Sequence, residues 1–335
     1  MKALIKWDNS RAGFVDALRP MVTEAGIGLK TYYEPFITDG ALFFSIVPQS
    51  YVIGSSMKLI QALYNRMSDS GLQVWHEFDE MQREYLFADD PKLVYYSIRD
   101  AFNDRRIYSM DDSLVTAQFL FLMKACYNNT YHVNTDNQFD APCGMAKTRM
   151  LIKRSDFFAA STHLATSAQY NRGQVRGSDF KTTCSSAAIG DFVFLDPPYA
   201  QLNVKQQISL YEMIDELGER GVYCLWILPQ DFSDRQKRGA GVATDTLEYK
   251  HVITRTNEVR VDRITVARNF GKVDAVVSKM NEERAKLILA KQRILRDFGL
   301  QPMSYEMCHR MSDVRVMTDF EIDAYVRRLI DGSMR

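Results

Sequence analysis

Residues 190–200 read GDFVFLDPPYA, and the tip of that stretch holds residue types that could do chemistry. Phe192, Val193, Phe194 and Leu195 form a short, continuous, β-prone run, as expected of a strand covered on both faces. The run stops at Asp196, Pro197, Pro198 and Tyr199. Proline has no N–H and a fixed φ, so this loop cannot extend the sheet and is stiff from the outset. A stiff loop at the carboxyl end of a parallel strand is where open α/β sheets bind ligands. Taken alone, the same four residues also describe a proline-rich turn with a solvated acid and a packing tyrosine.

The elements that must position this loop are readable along the chain. Residues 14–25 carry a helical stripe (Phe14, Leu18, Met21, Val22), and TYYEPF (31–36) is a strand entering a turn at Pro35. ALFFSIV and SYVIGSS read as short strands, and MKLIQALYNRM as a helix. Residues 66–170 are mainly helical, broken by the polar loop NNTYHVNTDNQFDAPCGMAKTR. Beyond Asp196 the pattern gives a helix over 208–217, the strand GVYCLWIL, and two β candidates, TLEYKHVITR and VDAVVSK. Two amphipathic helices close the chain. One is striped by Leu287, Ile288, Ile294, Leu295 and Phe298; the other opens with Thr318 and Glu321 at capping-box spacing.

Bulk composition narrows the classes. The chain has 335 residues, enough for one large domain or two modest ones. Acidic and basic residues balance at 42 each, so any nucleic-acid surface must be a local patch. There is no apolar run of membrane length and no secretory apolar core at the start, which predicts a cytoplasmic or nuclear, non-secreted protein. The five cysteines and five histidines are scattered without paired spacing. Reduced, mostly buried thiols and no metal centre are expected.

Five segments, in order, resemble the Dam-type family of DNA adenine-N6 methyltransferases, in the permutation group where the recognition insert precedes DPPY. They are IKW (Ile5, Lys6, Trp7), YYEPF followed by Gly40, the loop CYNNTYHVNTDNQFDAPCG (126–144), GSDF with DFVFLDPPYA, and RITVARNFGKVDAVV (263–277). The resemblance implies a Rossmann-like sheet built from 1–65 and 177–280, a helical target-recognition insert at 66–176, and leaves 281–335 as a helical extension. It implies S-adenosylmethionine as methyl donor, held around Lys6, Trp7, Glu34, Pro35, Phe36, Gly40, Asp179, Phe180 and Asp196. It also implies duplex DNA as partner, with Asn128 and Asn134 in the recognition loop. Arg235, Lys237 and Arg238 sit in a Gly-containing basic stretch that is either a DNA-contacting loop or an exposed hairpin tip. A paralogous subunit or a homodimer is a further possible partner.

The chemistry suits these residues. An exocyclic adenine amine is a poor nucleophile because its lone pair is delocalised into the ring. The Asp196 carboxylate and the Pro197 carbonyl can each accept one N–H, turning the lone pair toward the incoming methyl, chiefly by positioning and electrostatics. Tyr199 offers a stacking face to a flipped base.

The sequence departs from the family in the cofactor half. Asp8, Asn9, Ser10 and Arg11 replace a Gly-Gly-Lys turn, Thr38 replaces the family's first loop glycine with Asp39 preceding the surviving Gly40, and Ser55 stands where an acid holds the ribose. His132 stands where many relatives carry a base-contacting arginine. Two readings follow: a methyltransferase with a weakened donor pocket, or a pseudo-methyltransferase that binds nucleic acid or a partner, its pocket closed by Asp39 and Arg11. For Asp179 the alternative to adenine binding is a helix cap, for Trp7 plain core, and for Asn128 and Asn134 Asx-type turns.

Overall fold

Buried β-prone runs need neighbours on both edges and cover on both faces, and the chain supplies both. The structure, a computed structural model, describes residues 1–7, 10–24, 30–105, 112–144, 150–177, 179–232, 242–253 and 258–270. Its sheet has seven strands in the order β3-β2-β1-β4-β5-β7-β6. These are β1 (Tyr32–Glu34), β2 (Tyr51–Gly54), β3 (Gly173–Arg176), β4 (Phe192–Leu195), β5 (Tyr223–Ile227), β6 (Ala243–Ile253) and β7 (Glu258–Arg268). The first five in that order are parallel, and β7 turns antiparallel against β5 and pairs with β6 along its whole length. The order runs outward from β1 in one direction and from β4 in the other, so a topological switch point lies between them.

Alternation along the strands divides two cores. Tyr32, Tyr51, Ile53, Phe192, Phe194, Leu225 and Ile227 point into the larger one. Tyr33, Val52, Val193, Leu195, Cys224 and Trp226 point into the smaller one. The smaller core is closed by α8 (Phe180–Cys184) and α9 (Val204–Glu219), which contributes Leu210, Tyr211, Met213, Ile214 and Leu217. The larger core is covered by α1 (Val15–Glu24), α2 (Ala41–Ile46), α3 (Lys58–Asp69), α4 (Gly71–Phe87), α5 (Pro91–Arg105), α6 (Ser113–Ala125) and α7 (Arg154–Gln169). The helical layer and the sheet therefore share one continuous apolar core, and every described residue belongs to the compact unit Met1–Val273. No helix among the described residues is long and apolar enough to cross a membrane.

Several local outcomes differ from the sequence reading. ALFFSI is the helix α2, with Ala41 to Phe44 buried. An all-round apolar run has no face to reveal its period, so strand and buried helix look alike in sequence. The deciding residue is Gly40, which takes φ 65° at the N-cap and leaves 3.0 Å between a hypothetical Cβ and the Tyr64 hydroxyl. The helix after Asp196 starts at Val204 because Asn203 and Gln206 form a capping box. Residues 173–176, read as the end of the helical insert, pair with β2 as the edge strand β3. TLEYKHVITR falls within the hairpin of β6 and β7, whereas VDAVVSK and both C-terminal helices lie outside the described residues.

Candidate active site

Glu34 is the last residue of β1, and Asp196 follows the last residue of β4. The two strands are parallel neighbours, so both acids arrive at the same carboxyl edge, on either side of the switch point. One cavity there is lined by Ser10, Arg11, Glu34, Phe36, Thr38, Asp39, Ala41, Leu42, Phe194 and Asp196. Strand order brings positions near 35 and 195 together, and the N-terminal segment adds Ser10 and Arg11.

Three acidic side chains and one guanidinium set the electrostatics of this cavity. Arg11 donates from Nε and Nη2 to the two oxygens of Asp196, both at 2.7 Å. Bidentate charge-assisted bonds of this kind are the strong ones. Glu34 is fully buried beneath the cavity and accepts the Tyr32 hydroxyl at 2.6 Å. Burial, with Asp39 and Asp196 as like-charged neighbours, pushes its pKa up to about 8 against the opposing hydrogen bond. Asp39 is 5% exposed and its pKa is also raised, first by burial. Its Oδ1 accepts the Ala41 N–H at 3.0 Å, while Oδ2 is buried with no hydrogen-bond partner among the described residues.

Glu34 makes stability depend on pH with a definite sign. Between an ordinary carboxylate pKa of 4.5 and about 8, the folded chain keeps a proton that the unfolded chain has released. Stability therefore falls as pH rises through that window and levels off above it. Glu34→Gln keeps the neutral form and the Tyr32 bond, so its unfolding free energy should fall less steeply over pH 5–8 than that of wild type. By pH 8 it should exceed wild type by roughly 1–3 kcal/mol relative to the difference at pH 5. Urea melts of both proteins at the two pH values check this, and parallel pH profiles would contradict it.

The loop after β4 is built as its prolines require. Pro197 is buried, and its carbonyl already accepts the Tyr199 N–H at 2.9 Å, leaving one lone pair for a ligand. Tyr199 is half-buried; its hydroxyl donates to the Ile227 carbonyl at 2.9 Å and accepts from the Tyr211 hydroxyl at 3.2 Å. The ring is thereby pinned to β5 and α9, and burial raises its pKa far above the ordinary value. Pro198 caps the short turn Tyr199–Gln201.

On the other side of the cavity Phe36 packs on Phe180, with centroids 5.4 Å apart. Asp179 is the N-cap of α8. It accepts the Lys181 and Thr182 N–H groups at 2.9 and 3.1 Å and the Thr182 hydroxyl at 2.7 Å, which lower its pKa. The capping alternative for Asp179 is therefore what the structure contains, with Phe180 set in place by the cap. Ser55 is buried at the end of β2, its hydroxyl accepting the Met57 N–H at 3.3 Å. Thr38 leaves its carbonyl to the Tyr64 hydroxyl at 2.8 Å. Lys6 is exposed and away from the cavity lining, whereas Pro35 is buried in the turn. Trp7 stacks on Tyr131 at 5.1 Å, joining the N-terminal segment to the loop 127–144.

That loop is shaped by its asparagines. Asn134 Oδ1 accepts the Asp136 and Gln138 N–H groups at 3.0 and 2.9 Å, an Asx turn. Asn129 closes the end of α6 by donating to the Met123 and Lys124 carbonyls, both at 2.9 Å. Asn128 is exposed with φ 56°. His132 is exposed and paired through Nδ1 with Asp140. Gly144 donates its N–H to the Ala125 carbonyl, where a Cβ would meet that oxygen at 2.9 Å. Arg235, Lys237 and Arg238 lie outside the described residues. Among those described, no group of three or more His, Cys, Asp or Glu is placed to hold a metal ion.

Sequence reasoning singled out the acids but not their partners. Tyr32 and Tyr131 lie within the family-like segments with no role implied there, Tyr211 lies outside them, and the Arg11–Asp196 pair spans 185 positions.

A parallel sheet with a C-terminal antiparallel hairpin and acidic strand tips at its switch point defines a Rossmann-like methyltransferase fold. The chain belongs to the family of D12 class N6 adenine-specific DNA methyltransferases, whose pattern it matches over residues 14–265. It is 26% identical over 239 residues to the type II methyltransferase M1.LlaDCHI of Lactococcus lactis subsp. cremoris, covering 67% of this chain and 80% of that one. It is 26% identical over 225 residues to the type II methyltransferase M.MjaIII of Methanocaldococcus jannaschii, covering 64% and 75%. It is also 26% identical over 215 residues to the DNA adenine methylase of Serratia marcescens, covering 63% and 71%. These matches favour the enzyme over the pseudo-methyltransferase.

Proposed function

We propose that this chain transfers a methyl group from S-adenosylmethionine to N6 of an adenine flipped out of duplex DNA, within the adenine-specific methylation that its family defines. The observation that carries the reading is the convergence of Asp196, Pro197 and Tyr199 with Glu34 and Phe36 at the switch point. Asp196 and the Pro197 carbonyl accept the two amine N–H groups, and the Tyr199 face stacks on the base.

The cavity suits a cationic donor. Asp39 and Asp196 outnumber the single guanidinium of the lining, with Glu34 keeping its proton below about pH 8, and Asp39 Oδ2 is buried with no hydrogen-bond partner among the described residues. Phe36 and Phe180 would flank the donor's adenine, and Gly40 lets the backbone approach it closely. When bound, the donor supplies an electrophilic methyl on a sulfonium. With Ser55 in the ribose position, donor binding is weaker than a carboxylate would give, by roughly tenfold to a hundredfold.

The helices between α3 and α7, with the loop 127–144, serve as the target-recognition part, Asn134 setting the loop and Asn128 exposed on it. Arg235, Lys237 and Arg238 supply phosphate contacts. Tritiated methyl transfer to unmethylated DNA, followed by nucleoside analysis, tests the reading, and N6-methyladenine is the expected product. Folded protein that binds donor and DNA yet yields no methylated adenine would overturn it. Binding should weaken with salt. Alanine at Arg235, Lys237 and Arg238 should flatten the log–log slope by roughly one unit for each phosphate that is no longer neutralised.

A further inference from the structure

Asp196 is not free to receive a base: both its oxygens are held by Arg11 at 2.7 Å, in a pair whose side chains are only 21% and 23% exposed. An amine whose two N–H groups need acceptors competes directly with that guanidinium. A carboxylate that stays paired to a cation is also a poorer acceptor, so the arginine has to leave before the base docks.

A second carboxylate lines the same cavity. Asp39 is 5% exposed, and its Oδ2 is buried without a hydrogen-bond partner among the described residues. Leaving a buried carboxylate oxygen unpaired is costly, so a position of this kind calls for a donor that arrives in another state. The Ser10 hydroxyl and the Ala41 and Trp7 N–H groups approach Asp39 closely enough to lower its pKa, although burial outweighs them. Arg11 therefore holds one carboxylate while a second lines the same cavity, and its guanidinium sits at the end of a long, flexible side chain.

We propose that Arg11 is a two-position latch, closing on Asp196 when no base is present and transferring to Asp39 when the adenine amine takes Asp196. This rests on the methyltransferase reading given above. Arg11 and Asp39 are then positioning residues. Moving between two carboxylates spares the guanidinium an unpaired state in a part-buried cavity, so opening the site costs little. Closure in turn keeps the acceptor from binding stray donors. Arg11 belongs to a segment where the sequence departs from its family, and Asp39 follows another such position, Thr38.

A double-mutant cycle tests the coupling. The probe is a duplex carrying 2-aminopurine at the methylated position, which fluoresces when flipped, titrated in the presence of the non-transferring donor analogue sinefungin. Asp39→Asn should weaken insertion of the base by about tenfold in the wild-type background, the scale of one lost charge-assisted pair. In the Arg11→Ala background the same change should cost less than about threefold, because the arginine that needed Asp39 is gone. An equal loss in both backgrounds, or no loss in either, overturns the latch.

A measurement on wild type covers the case in which a variant does not fold. The Arg11 Nε–H proton should shift on addition of the duplex yet stay protected from solvent exchange. Loss of that protection would mean release to solvent and would overturn transfer to Asp39. If wild type methylates no DNA, the functional reading falls. If it methylates but the cycle shows no coupling, the latch alone falls.

Discussion

Asp196→Ala will reduce methyl transfer by about 10³-fold or more while leaving the thermal midpoint nearly unchanged. The expectation combines two observations. The carboxylate is one of two acceptors at the switch point, and losing one preorganised group of this type costs about 10²–10³-fold in other active sites. Here the loss also removes the only negative charge directly facing the amine in the proposed geometry. Stability is another matter, because Asp196 is a loop residue whose main bond is to Arg11 in a pair open to solvent on one side. Such pairs contribute at most about 1 kcal/mol. Asp196→Asn is the control: it keeps one acceptor but presents an NH₂ to the amine, so it too should lose most activity. Radiolabel transfer and scanning calorimetry on the three proteins give the comparison. A large fall in stability with modest loss of activity would make Asp196 a structural turn residue.

Tyr199→Ala and Tyr199→Phe should separate in opposite directions. Removing the ring takes away the stacking face, worth ~1–3 kcal/mol, so kcat/KM should fall by about tenfold to a hundredfold. Removing only the hydroxyl keeps the face but leaves the Ile227 carbonyl without its 2.9 Å donor and Tyr211 without its 3.2 Å acceptor. Tyr199→Phe should therefore cost ~1–2 kcal/mol of stability and change kcat/KM by less than about threefold. Urea melts and initial rates at limiting DNA supply both numbers. An inactive but stable phenylalanine variant would mean that the hydroxyl, and not the ring face, meets the substrate.

The sequence by itself determined the pieces whose chemistry is local. A run of four buried apolar residues ended by two prolines can be little but a sheet strand with a stiff tip, and β4 with Asp196 to Tyr199 is that. Tyr33 and Glu34 before Pro35 set the tip of β1 in the same way, and the helical stripes of α1 and α3 follow from period alone. The enzyme class was legible too, since five ordered segments carried it. Only the tertiary structure decided the partners. Whether ALFFSI is strand or helix depended on a left-handed Gly40 and on cover from Tyr64, neither of which has a periodic signal. Asp196 could have stood free. Arg11 reaches it from the N-terminal segment ahead of the turn Ala12–Phe14, whose Phe14 is anchored in the core against Tyr249, so tertiary packing brings residues 185 apart into a 2.7 Å bond. Spacing along the chain encodes contacts within a turn or a helix; contacts across a sheet are fixed by which apolar faces pack together, and that is settled by the whole core at once.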